Sequence, residues 1–240
     1  FDQKLKMYRV NADLSKESSE IGRARVFPAG WLENQSIWVH MEYKFLLEVL
    51  RAGLYKEFYE DLPQTLIPFL NPEQYGRSIL ENSSFIVSSA HENPKIHGRG
   101  YVARLSGSTA EFLHIWLVMN LGPRPFCLDD RGHLNLVLKP ILAKDLFTTQ
   151  STTIRFLTKN NHWEAIELPE NTYAFNFMAS TLVVYHNPKR LNTFDPAAKI
   201  QKIVCTYCSG KRKEISDSVV ATPCAEDIRN GAVKQMDVFF

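Results

Sequence analysis

The amino-acid sequence predicts an α+β chain, a helical N-terminal half followed by an antiparallel β sandwich or jelly roll. Three observations carry this. Apolar residues recur at three-and-four spacing in the helical segments between 36 and 121. The run Gly122-Pro123-Arg124-Pro125 then breaks the pattern, and beyond it the apolar period becomes two. The boundary is accordingly placed between 1–122 and 123–240, with no internal repeat and no low-complexity tract.

In order along the chain, 1–25 is polar and mixed. It lacks the periodic pattern that opens a self-contained domain, and it starts at Phe1, so a processed or truncated N-terminus is expected. Segment 36–52 carries Val39, Tyr43, Leu46, Leu47 and Leu50 as one apolar stripe, closed by Gly53. Segment 54–70 reads as a second helix interrupted by Pro63 and Pro68. A long irregular connection rich in Pro and Gly follows over 71–107. Ser108 and Glu111 fit a capping box, and the run from Phe112 to Leu121 is apolar on nearly every face, which predicts a buried helix. Strands are expected around Leu134-Leu136-Leu138, Tyr173-Phe175-Phe177 and Ile203-Cys205-Tyr207. Turns are expected at Asn160-Asn161, Asn187-Pro188 and Ser209-Gly210, with a hairpin at Asn230-Gly231.

Composition narrows the function. Among 240 residues, 45% are hydrophobic and 22% charged, the balance of a globular protein. A net charge of +2 leaves no field able to track nucleic-acid phosphates, and Lys211-Arg212-Lys213 reads as a solvated turn. No apolar stretch is long enough for a bilayer span and no signal sequence is recognisable. Four cysteines are too sparse for a disulfide scaffold, so a reducing compartment, the cytoplasm, is expected. Cys205 and Cys208 have a metal-ligand spacing, but only Cys224 and His186 could join them and Cys205 falls on the inward phase of a strand; no metal site is assigned. Asn82-Ser83-Ser84 matches a glycosylation acceptor, without meaning unless the chain is secreted.

Two segments could carry chemistry. Leu105-Ser106-Gly107-Ser108-Thr109 opens a helix, where unpaired N–H groups and the positive dipole end favour an anion. Gly107 would let a phosphate approach the backbone, Ser106 offers a hydroxyl, and Arg104 a charge-assisted bond. An ordinary capped helix explains the same residues. In Gly30-Trp31-Leu32-Glu33-Asn34-Gln35-Ser36-Ile37-Trp38-Val39-His40, a carboxylate, amides and indoles suit sugar recognition, and His40 could donate to a phosphate oxygen. The plain alternative makes Trp31 and Trp38 core residues and His40 a satisfied buried histidine.

Together with Gly98-Arg99-Gly100-Tyr101-Val102-Ala103-Arg104 and Leu121-Gly122-Pro123-Arg124-Pro125, these stretches resemble the C-terminal region of the cellobiose and chitobiose phosphorylase family, especially its oligoglucan phosphorylase branch, over about 27–147. The resemblance implies the last helices of an (α/α)6 barrel followed by a jelly roll. It implies that His40, Ser106 and Gly107 bind phosphate, with Ser106 standing where the family has threonine, and that Glu33, with Asn34 and Gln35 beside it, contacts the acceptor sugar. The family's catalytic acid falls upstream of these positions, so no catalytic residue is assigned here. The implied reaction is inverting phosphorolysis of β-glucosidic oligosaccharides to α-glucose 1-phosphate and a shortened glucan. Phosphate, as substrate, replaces the base and water of an inverting hydrolase, and no cofactor is required. Partners are then the glucan, inorganic phosphate and the N-terminal part of the same enzyme, and a homodimer is compatible; neither nucleic acid nor membrane is expected. An (α/α)6 glycoside hydrolase with Glu33 as base, and a non-catalytic carbohydrate-binding module in 123–240, are the rival readings. The chain by itself is expected to be inert. Detectable phosphorolysis by purified 1–240 would overturn that.

Overall fold

The computed structural model describes residues 1–102 and 107–240. The chain divides into two compact units, Phe1–Trp116 and Leu117–Phe240. The division therefore falls inside a helix rather than at the Gly-Pro breaker.

In the N-terminal unit the elements are α1 (Arg23–Val26), β1 (Ile37–Trp38), α2 (Val39–Arg51), α3 (Tyr55–Thr65), α4 (Pro72–Tyr75), β2 (Phe85–Ile86), β3 (Gly100–Tyr101) and the start of α5 (Ser108–Leu121). The apolar stripe of α2 behaves as its spacing requires: Val39, Tyr43, Leu46, Leu47 and Leu50 are buried. Pro63 lies inside α3, and Pro68 falls in a 3-10 turn after it. The connection 71–107 is less irregular than its composition suggests. Its two short strands join β1 in a three-stranded antiparallel sheet, order β1-β2-β3, pairing Trp38 with Phe85 and Phe85 with Tyr101.

The C-terminal unit contains β4 (Phe126–Leu128), β5 (Leu134–Val137), β6 (Thr152–Leu157), β7 (Trp163–Leu168), β8 (Thr172–Phe177), β9 (Thr181–His186), β10 (Lys202–Tyr207), β11 (Arg212–Ile215), β12 (Val219–Ala221), α6 (Cys224–Arg229) and β13 (Val233–Phe239). A five-stranded sheet of order β11-β10-β13-β9-β8 forms its centre, flanked by a three-stranded sheet β12-β5-β4 and the hairpin β6-β7. Strand β9, interior to the sheet between β13 and β8, is buried on both faces along most of its length. The hairpin packs Ile154, Phe156 and Ile166 against Leu168, Leu182 and Val184. Tyr185 Oη donates to the Asn120 carbonyl at 2.6 Å, which satisfies a fully buried hydroxyl.

Four expectations are corrected. The described residues hold six α-helices, of which only α2, α3 and α5 are more than short turns. That is too few for an (α/α)6 barrel, and the connection between α4 and α5 carries the strands β2 and β3. The C-terminal half is not an antiparallel jelly roll, because β13 runs parallel to β9 between it and β10, giving a mixed sheet. Asn230-Gly231 is not a hairpin turn: it ends α6, with Gly231 N donating to Ile228 O at 3.0 Å. Nor is α5 buried all round; Ile115, Val118 and Leu121 are, but Leu113 is 56% exposed.

One buried carboxyl has a measurable consequence. Glu42, on α2, is 4% exposed, and burial pushes its carboxyl up to about 8 from the ordinary 4.5. The Tyr8 N–H, at 3.1 and 3.2 Å from the two carboxyl oxygens, pulls the other way, and Asp61 adds to the rise. The folded chain thus holds this proton more tightly than the unfolded chain. Its contribution is full below about 4.5 and is lost as pH rises toward about 8. Glu42→Gln is expected to flatten that decline in urea titrations across the interval, and a wild-type stability that climbs there would contradict the assignment.

Candidate functional site

The site grows from the way α2 and α5 begin. Strand β1 runs directly into α2, with Trp38 as an extended cap residue that supplies no side-chain bond. Val39 N donates instead to Ser84 O at 3.0 Å, while Ser84 N donates to Tyr101 O at 2.8 Å. Next along the same segment, Ser83 O accepts from the Ser108 hydroxyl at 3.4 Å. Asn82 completes the brace: its Nδ2 donates to Thr109 Oγ1 at 3.1 Å and its Oδ1 accepts from Tyr43 Oη at 3.4 Å. Both helices are therefore pinned at their first turns to residues 82–84.

From there α2 and α5 run side by side in the same direction. Tyr43 and Phe112 rings lie 6.5 Å apart, Lys44 Nζ is 3.9 Å from Glu111 Oε1, and Arg51 Nη2 is 3.1 Å from His114 Nε2. At the top of the pair, a Cβ added to Gly107 would sit 3.7 Å from His40 Cβ, an ordinary contact distance. Two helix N-termini thus begin at one place, each the positive end of its helix dipole, about half a charge. Gly107 O accepts the Glu111 N–H at 3.2 Å, so Gly107 rather than Ser108 occupies the cap position.

His40 stands at this junction. Its ring is edge-on to Trp38 at 5.8 Å. Nδ1 is buried and has no hydrogen-bond partner among the described residues. An orphaned buried polar atom costs about 1–3 kcal/mol, so it calls for a partner. Burial, and next the Lys44 ammonium, hold the imidazole below its ordinary 6.5, with Glu111 opposing. At neutral pH the ring is therefore uncharged and can donate through one nitrogen.

The other sequence-derived residues fall differently. The structure brings His40 and Gly107 together; Arg104 and Ser106 lie outside the described residues. Asn34 and Gln35 are buried, and their amides serve the loop that carries them. Asn34 Nδ2 donates to Phe27 O at 2.7 Å, and Gln35 Oε1 accepts from Arg9 Nη1 at 3.4 Å. Glu33 is ion-paired with Arg23 at 3.0 Å, its side chain 32% exposed, so a sugar hydroxyl would have to share that carboxylate. The loop's shape depends on Gly30, at φ +79, where a Cβ would come within 2.6 Å of His91 N. Trp31 packs on Phe85 and Tyr101, with ring centroids 5.1 and 4.7 Å away. Cys205 is buried and Cys208 exposed, and no cluster of three or more metal-ligating side chains exists among the described residues. Sequence reasoning missed the brace: Asn82-Ser83-Ser84 reads only as a glycosylation motif, and no local pattern announces that its carbonyls and amide will start two helices.

No family model and no curated protein matches this chain.

An anion at this junction would favour the imidazolium and raise the His40 midpoint. In an NMR titration the His40 resonance is expected to titrate below 6.5 and to move upward with inorganic phosphate. A midpoint indifferent to saturating phosphate would remove His40 from the site.

Proposed function

We propose that this chain is the phosphate-holding portion of an inverting glycoside phosphorylase that acts on β-glucosidic oligosaccharides. One observation supports the reading most: His40, its buried Nδ1 without a partner among the described residues, packs against Gly107 where α2 and α5 both begin. The resemblance of the segments around Gly30–His40 and Gly98–Phe112 to the cellobiose and chitobiose phosphorylase family adds to it, although the described residues hold too few helices for the barrel which that resemblance implied.

In this reading phosphate rests on the Gly107 N–H and the His40 ring, with Ser106 and Arg104 completing its contacts. Two helix dipoles and a neutral imidazole donor, with the Arg104 guanidinium, hold the dianion and orient it at the anomeric carbon. A β-glucoside then gives an α-sugar 1-phosphate and a shortened glucan. Proton donation to the leaving oxygen is assigned to a carboxylic acid outside this chain, in an N-terminal part of the same enzyme. Glu33, exchanging Arg23 for a hydroxyl, contacts the acceptor sugar; Asn34 and Gln35 set its position from within the loop. Phosphate enters as substrate and the reading requires no cofactor. No described helix is long and apolar enough to cross a membrane. The sparse, unpaired cysteines support a cytoplasmic compartment.

Calorimetry of the 1–240 chain with inorganic phosphate tests the assignment. His40→Ala is expected to weaken binding about tenfold or more, the loss of a hydrogen bond to a charged group. In the enzyme that contains this chain, the same change is expected to raise KM for phosphate far more than KM for the glucan. Glucan cleavage that proceeds equally without phosphate would sink the proposal in favour of a hydrolase.

A further inference from the structure

The C-terminal unit contains a cleft of about 480 Å³ that plays no part in the site above. One wall is the β6-β7 hairpin and its turn. Thr158 N and Oγ1 both bond His162 O, at 2.9 and 3.0 Å, and this closure projects Lys159, Asn160 and His162 from the tip. The other wall is built from Ser180, just before β9, and from Lys234 and Gln235 on β13. Lys159 reaches between the walls, its Nζ 3.3 Å from Gly231 O. Gly231 is at φ +70, and a Cβ there would press to 3.1 Å from that ammonium and 3.3 Å from Ser180 Cβ. A side chain would therefore crowd the lysine that spans the cleft.

The chemistry of the lining is specific. Two ammonium groups and an imidazole face one carboxylate, Glu164, so the cleft favours an anion. Lys234, Glu164 and Asn160 make no ion pair or side-chain hydrogen bond among the described residues. Phe156, the cross-strand partner of Glu164, lines the same cleft while packing on the core cluster behind it. An aromatic face, donors for a dianion, and a carboxylate with an amide for hydroxyls together match a small ring bearing a phosphate. The volume lies within the range of small-molecule sites, about 300–1,000 Å³.

The geometry points to a binding site for a phosphorylated hexose in this cleft. Lys234 and Lys159 hold the phosphate, Phe156 lies against the apolar face of the sugar ring, and Glu164 and Asn160 take its hydroxyls. The site stands independently of His40. If the proposed reaction is correct, its product belongs to this ligand class, and the cleft would sense product.

Calorimetry on the 1–240 chain separates the two sites. α-Glucose 1-phosphate, glucose and inorganic phosphate are each titrated into wild type, His40→Ala and Lys234→Gln, with circular dichroism confirming the fold. Expected is saturable binding of glucose 1-phosphate that persists in His40→Ala and weakens about tenfold in Lys234→Gln, the loss of one charge-assisted contact. Glucose and phosphate alone are expected to bind more weakly than the ester. Absence of binding in His40→Ala, or unchanged binding in folded Lys234→Gln, overturns the site. Phosphate binding as tightly as the ester in His40→Ala overturns the hexose assignment. Loss of phosphate binding at His40 with this site intact, or the reverse, tells which of the two proposals fails.

Discussion

Two helices begin from one short stretch of backbone, and the rest of the N-terminal unit's chemistry depends on that arrangement. The carbonyls of Ser83 and Ser84 and the amide of Asn82 take up the first turns of α2 and α5. Helix starts normally satisfy their exposed N–H groups with their own cap side chains. Here Trp38 offers no such side chain and Gly107 has none to offer, so bracing comes from residues 82–84, just before β2.

Electrostatics follows from this geometry rather than from net charge. The chain carries only +2 overall, yet the junction of α2 and α5 concentrates two dipole ends beside Lys44. The same surroundings hold His40 uncharged, because the ring is partly buried and near an ammonium. A neutral donor between two helix ends is suited to holding an anion without sealing it in a salt bridge. Glu111, paired with Lys44, limits the local excess of positive charge.

The C-terminal unit illustrates a different economy. Its central strand is β13, flanked by β10 on one side and by the parallel strand β9 on the other, which binds the C-terminal end of the chain into the sheet. With β13 in that position, Lys234 and Gln235 are carried to the wall opposite the β6-β7 hairpin. The cleft between them is a by-product of strand order, and a hairpin on the outer side of an antiparallel sandwich would not have made it.

The sequence by itself determined which local faces are apolar. The stripe of α2, its stop at Gly53, the start of α5 near Ser108 and the period-two strands at Leu134–Val137, Thr172–Phe177 and Lys202–Tyr207 all follow from side-chain spacing. Gly107 is legible as a candidate phosphate contact from its place before a helix start. His40 reads as one turn inside a helix opening at 36 and draws its assigned phosphate role from the family resemblance; only the structure places it in the first turn of α2. Only the tertiary structure decided the remainder. The strands β1, β2 and β3 are two residues long and too short to show any period. In the sequence β1 therefore reads as part of the helix of 36–52 and the connection 71–107 that holds β2 and β3 looks irregular, while the barrel enters only through the family resemblance. The parallel seat of β13, the end of α6 at Asn230, and the diversion of Asn34 and Gln35 into loop support all rest on partners far away along the chain. Periodicity records which side of an element avoids water; which element it meets is fixed by backbone hydrogen bonds between distant segments, and those leave no mark on local spacing.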